Sequence, residues 1–127
     1  MEEAIRQQNS KDEFFTSERC YITELSNTPD DPEVSIAKAR VEPGVTTSWH
    51  RLIGIAERYC VTSGSGRVEI GNLPPHDVHP GDIVIIPPMC RQRITNIGQD
   101  DLVFLAICTP RFTHDAYEDI EENTTDR

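Results

Sequence analysis

Three side chains near the middle of the chain carry the means for proton transfer or ligand chemistry: His50, Glu57 and Tyr59. An imidazole and a carboxylate can trade protons with a substrate, or they can hold a divalent ion between them. Successive residues of a strand point to opposite faces, so His50 shares a face with Leu52, and Glu57 shares one with Tyr59. Tyr59 then reads as a phenolic acid, a substrate contact or a packing ring. Trp49, Arg51 and Arg58 fall on the opposite parity, where Trp49 would cover the outside of a sheet. Arg51, Arg58, Arg91 and Arg93 are four of the twelve basic residues. They either pair with the acidic surface or, turned inward, allow Arg58 and Arg93 to grip a substrate carboxylate or phosphate.

Short extended elements are needed to position such groups, and the sequence is organised for them. From Val34 onward, strand-like runs alternate with Gly and Pro punctuation: 34–41, 46–52, 57–62, 67–70, 77–79, 82–86, 91–96 and 102–108. No helix fits between them, and a parallel crossover needs at least about ten residues, so the pattern predicts an all-β antiparallel jelly-roll barrel. Residues 1–18 read as a polar arm, helical or loose, docked through Phe14 and Phe15. Residues 20–25 read as an edge strand able to cross to a partner's sheet. The division is an arm over 1–18, a barrel over 19–112 and an acidic tail over 113–127, with Tyr117 and Ile120 anchoring one short amphipathic helix.

Two segments resemble the two motifs of the cupin superfamily. The family's first motif is Gly, five residues, His-x-His, three or four residues, Glu, six residues, Gly. Here Gly44 is followed by five residues and His50, Leu52 stands at the second His, and Glu57 and Gly64 follow at the family spacing. The second motif is Gly, five residues, Pro-x-Gly, two residues, His, three residues, Asn. Gly81, Pro87 and Asn96 match it, with Met89 in place of the Gly and Gln92 in place of the His. The Pro80-Gly81-Asp82 turn is also similar to the family's. The resemblance, over about residues 34–110, implies a double-stranded β-helix that pairs into homodimers, with His50, Glu57 and Gln92 facing one cavity.

In metal-binding cupins, two His and the Glu of the first motif and the His of the second hold a divalent ion. Leu52 has no donor atom, and Gln92 offers a neutral amide oxygen. His50, Glu57 and Gln92 therefore read in three ways: ligands of a divalent ion (Zn, Mn, Fe or Ni) completed by water, a metal-free polar patch contacting substrate, or inert structure with Glu57 paired to an arginine. The resemblance implies a small oxygenated metabolite, a sugar or sugar acid, as ligand. It further implies an isomerase, epimerase or lyase in which Glu57, His50 and Tyr59 are catalytic while Gln92, Arg58 and Arg93 bind substrate. The alternative is a binding or sensor module without turnover.

Composition narrows the partners. Twelve basic against twenty-two acidic residues give a net charge of −10, which argues against nucleic acid and anionic membrane. The acidic residues crowd both ends, Glu18 among them, and read as solvated termini. No run approaches the roughly 20 apolar residues of a membrane span, and no secretory signal opens the chain. Cys20, Cys60, Cys90 and Cys108 contain no C-x-x-C pair, so free thiols in a cytoplasmic setting are expected. Cys108 lies in a run apolar on both parities, so its facing stays open, and His76 and His79 read as surface residues.

Overall fold

The computed structural model describes residues 1–121; Glu122 and Asp126 of the acidic tail lie outside the described residues. Eleven strands follow in order: β1 Phe14–Phe15, β2 Tyr21–Ser26, β3 Ser35–Val41, β4 His50–Leu52, β5 Ala56–Ser63, β6 Gly66–Ile70, β7 His76–Val78, β8 Ile83–Ile86, β9 Gln92–Asn96, β10 Leu102–Thr109 and β11 Tyr117–Asp119. One sheet has the order β1-β2-β3-β10-β5-β8, the other β11-β4-β9-β6-β7, and every pairing is antiparallel. The two sheets face each other as a jelly roll, as the strand rhythm predicts.

The alternation of strand side chains divides the molecule. On β5, Glu57, Tyr59 and Val61 are buried; on β9, Gln92, Ile94 and Asn96; on β4, His50 and Leu52. One end of the barrel is packed with Val41, Val61, Ile86, Ile94, Leu102 and Phe104, all nearly inaccessible. The polar inward residues gather toward the other end. Asn96, which closes the second motif, is a structural tie: its amide donates to the carbonyls of Val41 and Asp100, each at 2.8 Å, and its Oδ1 accepts from the Gly98 N–H at 2.9 Å.

Four expectations are corrected. The run 46–52 forms a ladder only from His50: before it, Thr46 makes an isolated bridge to Thr95, Thr47 N–H donates to the Ile94 carbonyl at 2.9 Å, and Thr47 Oγ1 accepts from Ile94 N–H at 3.0 Å. β2 is not an edge: β1 covers one side of it and β3 the other. The expected tail helix is replaced by a 3-10 turn, His114–Ala116, and β11. β4 would otherwise leave an open edge, and β11 closes it, setting Tyr117 opposite Leu52. Finally, the segment 1–18 carries only a single 3-10 turn, Ser10–Asp12, before β1.

The β5–β6 turn sets a packing test. Gly64 has φ 83°, and a Cβ there would lie 2.6 Å from the Asp101 carbonyl oxygen and 2.9 Å from Leu102 Cα. Gly44 has a similar φ of 78° with nothing within 4 Å. Gly64→Ala should therefore destabilise by about 3 kcal/mol or more and Gly44→Ala by about 1 kcal/mol. Urea denaturation measures both, and equal losses would contradict the close approach.

Candidate active site

Glu57 lies on β5, between β10 and the edge strand β8, where strand parity turns its carboxylate inward; it is only 9% exposed. Its Oε2 accepts from the Cys108 thiol at 3.7 Å, which places Cys108 inward, while its Oε1 has no hydrogen-bond partner. Among the described residues no arginine pairs with it. Burial pushes its pKa from 4.5 up to about 7; the charge on His50 opposes the rise, Glu18 adds to it, and the Gln92 amide and Cys108 thiol oppose it. Glu57 is thus close to half protonated near neutrality.

His50 stands on β4 opposite Gln92 of β9. Its Nδ1 lies 2.8 Å from the Ser48 carbonyl, which can only accept, so Nδ1 carries a proton. In the neutral ring the Nε2 lone pair is then free. Tyr117 stacks on the imidazole with 5.1 Å between centroids, and Glu18 Oε2 lies 3.4 Å from Nδ1. Glu18 also accepts from the Cys20 thiol at 3.2 Å and from the Tyr117 hydroxyl at 3.4 Å. Burial raises the pKa of the Cys20 and Tyr117 donors, and Glu18 raises them further, so both stay protonated.

Gln92 is 1% exposed, and its Oε1 accepts from the Tyr59 hydroxyl. Its Nε2, beside Glu57, completes no hydrogen bond. Burial holds the Tyr59 hydroxyl well above its ordinary pKa, with the Glu57 charge adding to the effect. Glu57, His50 and Leu52 line a cavity of about 320 Å³ whose mouth is framed by Phe14, Phe15 and Phe112. Tyr59 and Gln92 are absent from that lining; Tyr59 shares a smaller cavity with Glu18, His50 and Glu57.

Arg58 and Arg93 do not join this cluster, which corrects their expected role in substrate binding. Arg58 donates to Thr109 Oγ1. Arg93 pairs with Glu69 at 2.8 Å and packs over Trp49 on the outer face, where Arg91 meets the same ring. Arg58 alternates with Glu57 on β5 and Arg93 alternates with Gln92 on β9, which explains both placements. Glu18 and Tyr117 belong to the site although the sequence reading set them in the polar ends. Glu18 sits in a run without apolar period, and no sequence signal marked it; Tyr117 was visible only as an aromatic anchor in a polar tail.

The donor set does not fit the divalent ion expected of His50, Glu57 and Gln92. Gln92 Oε1 is occupied by Tyr59, and the amide turns a hydrogen-bond donor toward Glu57. Leu52 contributes no donor atom, and burial, with the Glu57 charge adding to it, keeps the Cys108 thiol protonated. One imidazole and one carboxylate remain, short of the three protein ligands typical of a catalytic zinc site. Among the described residues, no group of three or more His, Cys, Asp or Glu is arranged to hold an ion.

Residues 37–108 match the family model for the cupin domain. The chain is 30% identical over 110 residues to the uncharacterised protein MJ1618 of Methanocaldococcus jannaschii, covering 85% of this chain and 87% of that protein. Among solved structures it is similar to a double-stranded β-helix protein from Klebsiella pneumoniae subsp. pneumoniae, with TM-score 0.73, 17% identity and 88% and 93% of the two chains covered. It is also similar to Pac13, a nucleoside dehydratase whose Streptomyces variants were solved with uridine, with TM-score 0.75, 16% identity and 93% and 92% covered. At these identities the two structures establish the fold alone.

The buried carboxylate predicts a pH dependence. Between pH 4.5 and about 7 the folded state holds a proton on Glu57 that the unfolded chain has released. Stability therefore falls as pH rises through that window, by about 3 kcal/mol in all. Glu57→Gln, which mimics the protonated side chain, should match the wild type below the window and exceed it by that amount above pH 7. Denaturation of both proteins at a series of pH values measures the difference; a constant difference would refute the raised pKa.

Proposed function

Since the chain belongs to the cupin family, we propose that it is a small-molecule enzyme that moves protons on an oxygenated metabolite, in the manner of a lyase or isomerase. The observation that carries this reading is Glu57, which lines the same cavity as His50 with its Oε1 buried and unpartnered. A buried carboxylate held without a cation is costly to stability, and such groups concentrate where chemistry needs them.

In the lyase form, His50 Nε2 removes a proton from the carbon next to a substrate carbonyl. The C–H electrons become the new C=C bond, the neighbouring C–O bond breaks, and the departing hydroxyl takes the Glu57 proton and leaves as water. His50 then carries one proton more and Glu57 one fewer, and transfer through solvent restores both. Isomerisation uses the same abstraction and returns the proton to another atom. The Ser48 carbonyl fixes the His50 tautomer, and the Tyr59 hydroxyl donates to the Gln92 amide beside Glu57.

Incubation with hydroxylated carbonyl compounds in deuterium oxide, followed by proton NMR, reads abstraction directly as exchange of a C–H signal. Glu57→Gln and His50→Gln should each lower the rate by about a hundredfold or more, and a chelator should leave it unchanged. Ligand binding without exchange or turnover across the panel would support the sensor reading instead.

The same reading includes a homodimer in the cytoplasm. Ile83 and Ile85 are 57% and 69% exposed on β8, an edge strand of its sheet, and a second copy of the chain supplies a self-complementary cover. The four cysteines are free, the state that a reducing compartment maintains. Among the described residues no helix is long and apolar enough to cross a membrane. Sedimentation equilibrium at micromolar concentration should give twice the 14.4 kDa chain mass, and Ile85→Glu should return it to one.

A further inference from the structure

We infer that the cavity takes an uncharged ligand, a polyhydroxylated small molecule carrying a flat ring, and turns away the anionic counterparts of the same molecule. This rests on the reading above that the cavity is a ligand site, and it narrows the sugar or sugar acid expected from the sequence to an uncharged compound.

The first support is the charge of the lining. Glu18, Glu24 and Glu57 contribute carboxyl groups; no lysine or arginine is among the residues that line the cavity, and His50 and His114 are the lining side chains able to carry positive charge, fewer than the three acids. The nearby arginines are held elsewhere: Arg58 by Thr109, Arg111 by Asn27 at 2.9 Å, Arg51 by Glu118 and Arg19 by Glu121 at 3.0 Å. Recognition of a carboxylate or phosphate rests on clustered donors, above all the guanidinium fork. Here a ligand anion would meet other anions in a site that excludes much of the water that could screen them.

The second support is the pattern of hydrogen-bonding groups at the inner end. Glu57 lines the cavity with its Oε1 buried and unpartnered, and His50 Nε2 is an acceptor in the neutral ring. A hydroxyl both donates and accepts, so it satisfies His50 as donor and Glu57 in either protonation state. A carboxylate or phosphate only accepts and leaves the His50 lone pair unmet. An ammonium only donates and meets Glu57 badly whenever that group is protonated. The hydroxyls of Thr16, Ser17 and Ser35 extend the same pattern along the wall.

The third support is the mouth. Phe14, Phe15, Phe112 and Tyr117 present rings there, and Ile22 and Leu52 add apolar surface. A flat ring buries against such rings in stacked or tilted contact. The volume of about 320 Å³ suits one ring and one sugar-sized polyol, at the small end of ligand cavities.

Matched pairs differing only in charge test the inference. Phenyl glucoside and phenyl glucuronide differ in a hydroxymethyl against a carboxylate; uridine and uridine 5′-monophosphate differ in a phosphate. Calorimetry on the wild type and on Glu57→Gln at pH 7.5 should show the uncharged member of at least one pair binding about tenfold or more tighter than its anionic partner. Glu24→Gln, at an exposed position on the rim, should narrow the gap without disturbing the fold. Equal or tighter binding of the anion, or no binding by any of the four at millimolar concentration, would overturn the inference. Because binding is read without turnover, charge discrimination together with an absence of deuterium exchange would sink the enzymatic reading and leave the ligand class standing.

Discussion

A carboxyl group buried in a barrel without a cation is the constraint around which the molecule is arranged. Ionised, Glu57 would be among the most unfavourable groups in the interior, since desolvation of a charge is recovered only by a paired charge or several hydrogen bonds. Neither is supplied in full. The charge on His50, the nearby amide of Gln92 and the long contact from Cys108 oppose the rise in pKa without cancelling it, so protonation near neutrality relieves the strain instead. Packing an apolar residue at this position would be the stabilising choice. Retaining the acid ties the barrel's stability to pH and keeps a proton within reach of the cavity.

The groups facing Glu57 come from segments far apart in sequence, brought together by the sheet order. β4 supplies His50, β11 supplies Tyr117, and the connection between β1 and β2 supplies Glu18. Salt bridges at the rim tie these outer pieces down: Glu13 to Arg40 of β3, Glu118 to Arg51 of β4, and Glu121 to Arg19. Partly exposed pairs of this kind each contribute little. Glu57 thus stands on a strand hydrogen-bonded on both sides, whereas the mouth is built from the short β1 and the two ends of the described chain. The proton-bearing groups are the rigid half of the site, and the surfaces that would enclose a ligand are the half more easily opened.

Most of the barrel was legible because its strands obey local rules. Gly and Pro punctuation located β3 and the strands from β5 to β10, and period-two alternation put His50, Leu52, Glu57 and Tyr59 on inner faces. The register of β10 was not legible, because both of its faces are apolar, and only its pairing with β5 shows Cys108 opposite Glu57. β11 was missed for a different reason: three polar-flanked residues carry no strand signal of their own, and it is the open edge of β4 that makes them a strand. Glu18 illustrates the same limit. Nothing in an acidic run distinguishes the one carboxylate that turns inward from its solvated neighbours.

Leu52 and Gln92, which stand where metal-binding cupins carry His, bear on more than ligand count. A divalent ion would hold Glu57 ionised and make the cavity attractive to anions. With Leu52 apolar and Gln92 giving its oxygen to Tyr59, no such charge is accommodated, and the same carboxylate becomes an acid. Glu18 then acts on a pocket whose lining holds no lysine or arginine: it raises the pKa of Glu57, Cys20 and Tyr117 and faces the protonated Nδ1 of His50. Proton chemistry and selection against anions are thus consequences of one electrostatic fact. An interior that carries carboxylates and no fixed cation must hold its own protons, and it has little to offer a ligand that brings more negative charge.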